Sequence, residues 1–453
     1  MKIKVLSRDD ADYLGERSTD SHKNAKNIDP KLHPFEKPIE YKRALNAVKM
    51  DRVFAKPFVS ALSGHRDGVY SLIRHPSQLN WVLSGGCDGE IRLWNASTSK
   101  CIGDWRAHSS FVRGLAFCGD QNRVYSCGSD KLIQLWDLPR SLVSGINDEV
   151  KEEPKSIKTW MCPHSVTALD HQRKSTNFGT VAANILNVWD PERSEAIQKM
   201  SWGEDSLISL KFNPIETYVL GTTAEDRAII LYDVRGNTPI KKVILQMKSN
   251  AMVWNPMEAF HFTVANEDHN AYTFDMRNLG KAMYTHSGHV SALLAIDYSP
   301  TGQEFVTGSY DKTLRIFEKG APQSRDVYYT KRMQRIFSIC YTGDSTYILS
   351  GSDDTNIRIW KSEASKNLRI KNIKEVEKEE YSKALIDRYK EFPEVKRILK
   401  KRHLPLHVKT VSKTKAIIKK SQREKEEKRK RHSKKGSVPV VPPSKKSIVK
   451  EVS

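Results

Sequence analysis

Six aspartates recur along this chain among residues that could carry metal or proton-transfer chemistry: Asp88, Asp130, Asp226, Asp268, Asp311 and Asp354. Three histidines, His65, His108 and His289, stand 22 or 23 residues before three of them. Carboxylates and imidazoles are the ordinary ligands of zinc and the ordinary acids and bases of catalysis. Either use requires the groups to converge on one ion or one reacting atom, and the spacing disperses them instead. Each aspartate stands six residues before an aromatic that closes a short apolar run. Those aromatics, with one more, are Trp94, Trp136, Trp189, Tyr232, Phe274, Phe317 and Trp360, at steps of 42, 53, 43, 42, 43 and 43 residues. One aspartate per repeat is a turn residue: its carboxylate bonds nearby backbone N–H groups between two strands. The chain has no Gly-x4-Gly-Lys-Ser/Thr phosphate loop, no His-Glu-x-x-His and no Gly-x-Ser-x-Gly elbow. The reading is therefore of a protein that is not an enzyme and needs no metal or cofactor.

A period near 42 residues is that of a β-propeller blade of four strands. Third strands are legible in Ile91-Arg92-Leu93-Trp94 and Ile357-Arg358-Ile359-Trp360. Gly64-His65, Ala107-His108 and Gly288-His289 precede their aspartates, and Asp137, Asp190, Asp233 and Asp275 directly follow aromatics. This set resembles the WD40 family, and the resemblance implies that the aspartates and histidines form a buried polar network between strands. Repeats four and five share Asn213-Pro214-Ile215-Glu216 and Asn255-Pro256-Met257-Glu258. In repeat three Ala183 stands in the aspartate's place, and the longer step puts a surface loop around 138–155, with an acidic patch at 148–153. The strand-like run Phe58-Val59-Ser60-Ala61-Leu62 is expected to complete the last blade and remove an open edge. The expected fold is all-β: a seven-bladed WD40 propeller over 56–361, an N-terminal extension over 1–55, and a basic, partly helical C-terminal tail over 362–453.

The net charge of +21 is uneven. Residues 1–360 hold 45 Lys and Arg against 42 Asp and Glu, whereas residues 361–453 hold 30 against 12. Residues 395–453 alone carry a net +17. Such a block repels itself and suits a polyanion, nucleic acid above all. Lys428, Arg429, Lys430, Arg431, Lys434 and Lys435 form the densest cluster, fit for RNA phosphates or nuclear import. Apolar residues at helical spacing place helix at about 371–402, with Pro393 opening a second short helix. That stripe, which includes Leu385, Tyr389, Phe392 and Val395, needs a partner: it could fold onto the propeller or dock on another protein, and an intermolecular or conditional contact is expected. After about 436 the chain reads as extended or disordered. In the N-terminal extension, 41–51 reads as a short helix, and the Pro-bracketed stretch before it does not. No apolar run of 18 residues is present, so no membrane partner is expected. Six scattered cysteines without a CxxC pair read as reduced thiols.

The flanks carry a more specific resemblance. The entry segment Leu32-His33-Pro34-Phe35-Glu36 followed by Tyr41-Lys42-Arg43-Ala44-Leu45-Asn46-Ala47, the paired Asn-Pro blades, Lys401–Pro405 and 432–439 resemble the SOF-one family, suppressors of fibrillarin. That family implies a nucleolar scaffold of the small-subunit processome. Its partners would be the U3 snoRNP and other processome proteins, with pre-rRNA or snoRNA held by the basic tail, in the processing that yields 18S rRNA. Tyr232-Asp233-Val234-Arg235 and Phe274-Asp275-Met276-Arg277 also resemble the aromatic-Asp-x-Arg motif of WD40 substrate receptors of cullin-4 ligases. This makes Arg235 and Arg277 candidates for contact with a ligase adaptor, the alternative reading.

Overall fold

The computed structural model describes residues 34–119, 122–138, 154–434, 437, 442 and 444–452. Packing of blade on blade explains the sequence pattern. The second strand of a blade is covered on both faces, so it reads as a continuous apolar or small-residue run; Trp81–Gly86 and Val219–Ala224 are buried at every position. The fourth strand faces solvent on one side, and Lys100–Arg106 alternates accordingly. Blades one to six span 69–106, 112–161, 166–200, 207–245, 249–286 and 293–328, each an antiparallel sheet in chain order. In blade seven, Ile336–Tyr341, Tyr347–Ser352 and Ile357–Lys361 are joined by Phe58–Leu62, with Leu62 opposite Ile357 and Phe58 opposite Trp360. Leu62, Val69, Val82 and Trp94 then pack with Leu349, Ile357 and Ile359, sealing blade seven to blade one.

Blade three departs from the rest by a shorter turn. In blade two, Gly128 ends the second strand and Leu132 begins the third; in blade three, Ala182 and Ile185 pair across two residues only. Ala183 takes the left-handed conformation (φ 53°) in that turn. The aspartate is thus absent because its loop position is absent, not because alanine replaces it. The long step falls between the third and fourth strands of blade two, and the expected acidic patch at 148–153 lies outside the described residues.

Blade four carries a fifth strand. Ile448–Val452 pairs antiparallel with Thr238–Leu245, Val243 opposite Glu451 and Ile244 opposite Lys450. This stretch falls where the sequence suggests extended or disordered chain. Its partner is eight residues long, whereas the fourth strands of blades three, five and six have three each. A long unpaired edge is the one most in need of cover, and backbone pairing supplies it with little demand on side-chain type.

Helix α1 (Glu36–Val53), helix α2 (Ile373–Tyr389) and helix α3 (Pro393–Lys400) belong to a second compact unit made of residues up to Lys56 together with Ala364–Arg402. Helix α1 begins earlier than expected: Pro38 is its third residue, in the first turn, where a missing N–H breaks no helical bond. The apolar stripe of α2 and α3 is met within the chain. Ala44 and Val48 of α1 pack with Leu385, Tyr389 and Val395. Tyr389 Oη donates to Glu40 at 3.0 Å, and Arg52 donates to the Leu399 carbonyl at 2.9 Å. Asn372 and Glu375 form a capping box at the start of α2. Among the described residues the propeller unit includes the helix α4 (Leu406–His432).

Candidate partner and nucleic-acid interfaces

The repeated aspartates build turns. Asp88, Asp130, Asp226, Asp268 and Asp311 each accept through Oδ1 from the backbone N–H two residues on, at 2.9 to 3.2 Å. The intervening residues, Gly89, Lys131, Arg227, His269 and Lys312, have φ of 64 to 82°, a strained conformation for a side-chain-bearing residue that this bond holds in place. Asp354 differs, pairing with Arg358.

In blades one, two and six the network extends through histidine. His108 Nδ1 lies 3.0 Å from Asp130, and its Nε2 lies 2.8 Å from Ser126 Oγ, which also accepts from Trp136 Nε1 at 2.9 Å. A carboxylate only accepts, so Nδ1 carries the proton and Nε2 receives the serine O–H. Burial lowers the His108 pKa against the pull of Asp130, which favours the neutral ring. His289 repeats the arrangement, 3.0 Å from Asp311 and 2.8 Å from Thr307 Oγ1. In blade one His65 stands 3.5 Å from Asp88 and 2.7 Å from Ser84. Burial works against the Asp88 charge, yet the nearby His65 ring and hydrogen bonds from the Glu90 and Arg66 N–H groups hold its pKa down to about 2. Ser–His–Asp is the order of a hydrolase triad. Here Ser126 is wholly buried and its oxygen is occupied by tryptophan, so no substrate reaches it.

Charges in the central channel are likewise committed to the structure. Asp170, Lys211 and Asp297 are the fifth residues of their innermost strands, and Arg74 is the last residue of blade one's. Lys211 donates to Asp170 at 3.1 Å, Arg74 to the Tyr341 carbonyl at 2.9 Å, and the Tyr341 N–H to Asp297 at 2.8 Å. Among the described residues no group of three or more His, Cys, Asp or Glu side chains is arranged to hold a metal ion. No helix among them is long and apolar enough to cross a membrane.

Arg235 and Arg277 occupy equivalent positions of blades four and five. The Arg277 guanidinium donates to Asp275 at 2.8 Å and lies 4.4 Å from the Phe260 ring centre. Arg235 contacts Asp233 at 3.4 Å and lies 5.0 Å from the Tyr218 ring centre. Their side chains are 64% and 62% exposed, held from behind and open in front. The Arg277 carbonyl accepts from Lys241 Nζ, which also faces Glu451 of the C-terminal strand at 3.9 Å.

Most of the basic cluster lies on α4. Its first part meets the propeller through Lys415, whose Nζ donates to the Val290 carbonyl at 2.5 Å; on the same part Val408 is buried and Val411 half-buried. Just before it, His403 stacks on Tyr329, their rings 5.8 Å apart. From Ala416 to His432 every residue is exposed. Lys428, Arg429, Lys430 and Arg431 fall in this exposed part, and the last three in its final turn, where cations also complement the helix dipole. Lys434 follows the helix end, and Lys435 lies outside the described residues.

Comparison with known proteins follows the same division. A profile described as the Sof1-like domain matches residues 362–448. The WD domain, G-beta repeat profile matches 56–95, 99–137, 280–318 and 328–361, which are blades one, two, six and seven. Over 465 aligned residues the chain is 42% identical to Protein SOF1 of Saccharomyces cerevisiae, covering 99% of this chain and 94% of that one. It is 47% identical to DDB1- and CUL4-associated factor 13 of Homo sapiens, with 99% of both chains covered. The protein of that name from Danio rerio is 44% identical over the full length of both. The chain belongs to the Sof1-like WD40 family. Blades three to five of this Sof1-like protein fall outside the matched repeats, and in them the aromatic period, rather than the Gly-His pair, reveals the fold. Sequence reasoning missed two features of the C-terminal segment: the helix carrying the basic cluster, within the Sof1-like match, and the strand Ile448–Val452 that begins at its end. For α4 the Pro405 start and the run of helix-forming Lys, Arg, Glu and Gln were a signal; the strand, Ile-Val-Lys-Glu-Val, has no apolar–polar alternation to mark it.

Proposed function

We propose that this protein is a non-enzymatic scaffold of the small-subunit processome. It is nucleolar, associates with the U3 snoRNP and serves the pre-rRNA processing that yields 18S rRNA. The propeller offers its faces and rim to protein partners, and the exposed half of α4 holds RNA through phosphates. The reading rests on one coincidence: the Sof1-like match over 362–448 falls on the region, 361–453, that carries 30 basic residues against 12 acidic. Lys and Arg that neutralise phosphates release counterions, giving affinity with little sequence choice. Lys428, Arg429, Lys430, Arg431, Lys434 and Lys435 are the assigned contacts. Crosslinking of the tagged full-length protein in cells, with sequencing of bound RNA and identification of co-purifying proteins, tests it. Pre-rRNA or U3 RNA with processome proteins is the expected outcome; neither RNA nor such proteins would overturn the reading.

A second reading, substrate receptor of a cullin-4 ligase, is favoured by two observations. Relatives carry the name DDB1- and CUL4-associated factor 13, and Arg235 and Arg277 present exposed guanidiniums on adjacent blades. Charge reversal at both should remove a co-purifying adaptor while leaving pre-rRNA processing intact. If the folded variant loses processing and adaptor together, the ligase reading takes first place.

A further inference from the structure

The exposed half of α4 is basic on every side. Lys419, Lys420, Arg423, Lys425, Lys428, Arg429, Lys430 and Arg431 face three glutamates, Glu424, Glu426 and Glu427. At about 100° per residue, no arc wider than roughly 80° lacks a basic side chain. Arg423 and Lys430 fall about 20° apart, and Lys425 and Lys428 fall on the opposite side. A helix that lies on a flat phosphate surface needs cations along one face only. This one spends its helical length on cations that point away from each other, at the cost of mutual repulsion. The segment is held at its start, where Lys415 Nζ donates to the Val290 carbonyl. As a helix it presents an exposed rod about 25 Å long and 10–12 Å wide, and backbone already helical costs less entropy to bind than a coil.

We propose that α4 from about Lys419 to Arg431 inserts between two RNA backbones and contacts phosphates on opposite sides at once. This rests on the reading that α4 is the RNA contact. The groove geometry narrows the partner further. The major groove of regular A-form RNA is deep and too narrow to be read by side chains, so it cannot take a cylinder of this width. The fitting partner is an RNA helix opened by a bulge, an internal loop or a junction.

The test uses the full-length protein and two double variants, Arg423→Ala with Lys430→Ala and Lys425→Ala with Lys428→Ala. Alanine keeps the helix, and circular dichroism and melting check that it has. Three RNAs of matched composition are titrated at several salt concentrations: a perfect hairpin, the same hairpin with a bulge, and a single strand. The expected result is tightest binding to the bulged hairpin, with each double variant flattening the plot of log affinity against log salt by about 1.5. Flattening by one pair only would mean a one-sided contact and would overturn the proposal. So would a bulged hairpin bound no better than the perfect hairpin or the strand. If neither pair changes affinity for any RNA, the assignment of α4 as the RNA contact fails with it.

Discussion

In the propeller, apart from the ring closure at Phe58–Leu62, distance along the chain and position in space obey one rule, because each repeat of about 42 residues packs against its neighbours in the ring. In the C-terminal segment no such rule holds. Helix α4 meets Val290 across 125 residues, and the final strand meets Thr238–Leu245 across about 200. The first region uses buried apolar surface and repeated turns. The second uses a few docking residues and backbone pairing to hold a charged arm that buries almost nothing. The lesson is that core residues of the propeller should govern stability, and residues of α4 should govern binding, with little overlap.

The strongest break of that division would come from Trp360. It is fully buried, sits at the ring closure against Phe58 and donates to Ser350 at 2.8 Å. Trp360→Ala should destabilise the propeller by about 3–5 kcal/mol, read from the midpoint of denaturant unfolding. A loss under 1 kcal/mol would show that closure does not depend on this packing. Asp311→Ala should cost about 1–3 kcal/mol, since it strands His289 and the Val290 N–H in the core. The same site sets a pH dependence. Burial opposes the Asp311 charge, but His289, Thr313 and the Val290 N–H hold its pKa below the ordinary 3.8. A lowered folded pKa gives stability above about 3.8 that is lost as pH falls. Burial lowers the His289 pKa below 6.5, so its contribution declines from that point downward. Stability should therefore fall in two stages on acidification, and Asp311→Ala should show a shallower second stage. An identical acid profile in the variant would remove Asp311 from the account.

Removing 444–453 should change melting less than Asp311→Ala but should expose the long edge of blade four. Light scattering should then show concentration-dependent association. A variant that stays monomeric would mean the edge is guarded by other means. Smallest of all should be the stability effect of Lys428, Arg429, Lys430 and Arg431 changed to Ala, within about 0.5 kcal/mol. RNA affinity should nonetheless fall for unrelated sequences alike. A large change in melting would erase the distinction between the two regions.

By itself the sequence determined the blade count, five of the six turn aspartates and where the positive charge lies. These depend on local chemistry repeated at fixed intervals: an Asx turn closes over two residues, and an aromatic closes a strand. It also carried the family resemblance, through flanking segments such as Lys401–Pro405. Tertiary structure alone decided three things. Tyr41, Ala44 and Val48 cover the stripe of α2 and α3, because an apolar face takes whichever complementary face the fold brings to it. The edge of blade four receives Ile448–Val452, because a backbone edge accepts almost any extended chain. The basic cluster stands on a helix anchored at Lys415, because docking of its first turns lets a charged segment hold a conformation that its own burial would not support.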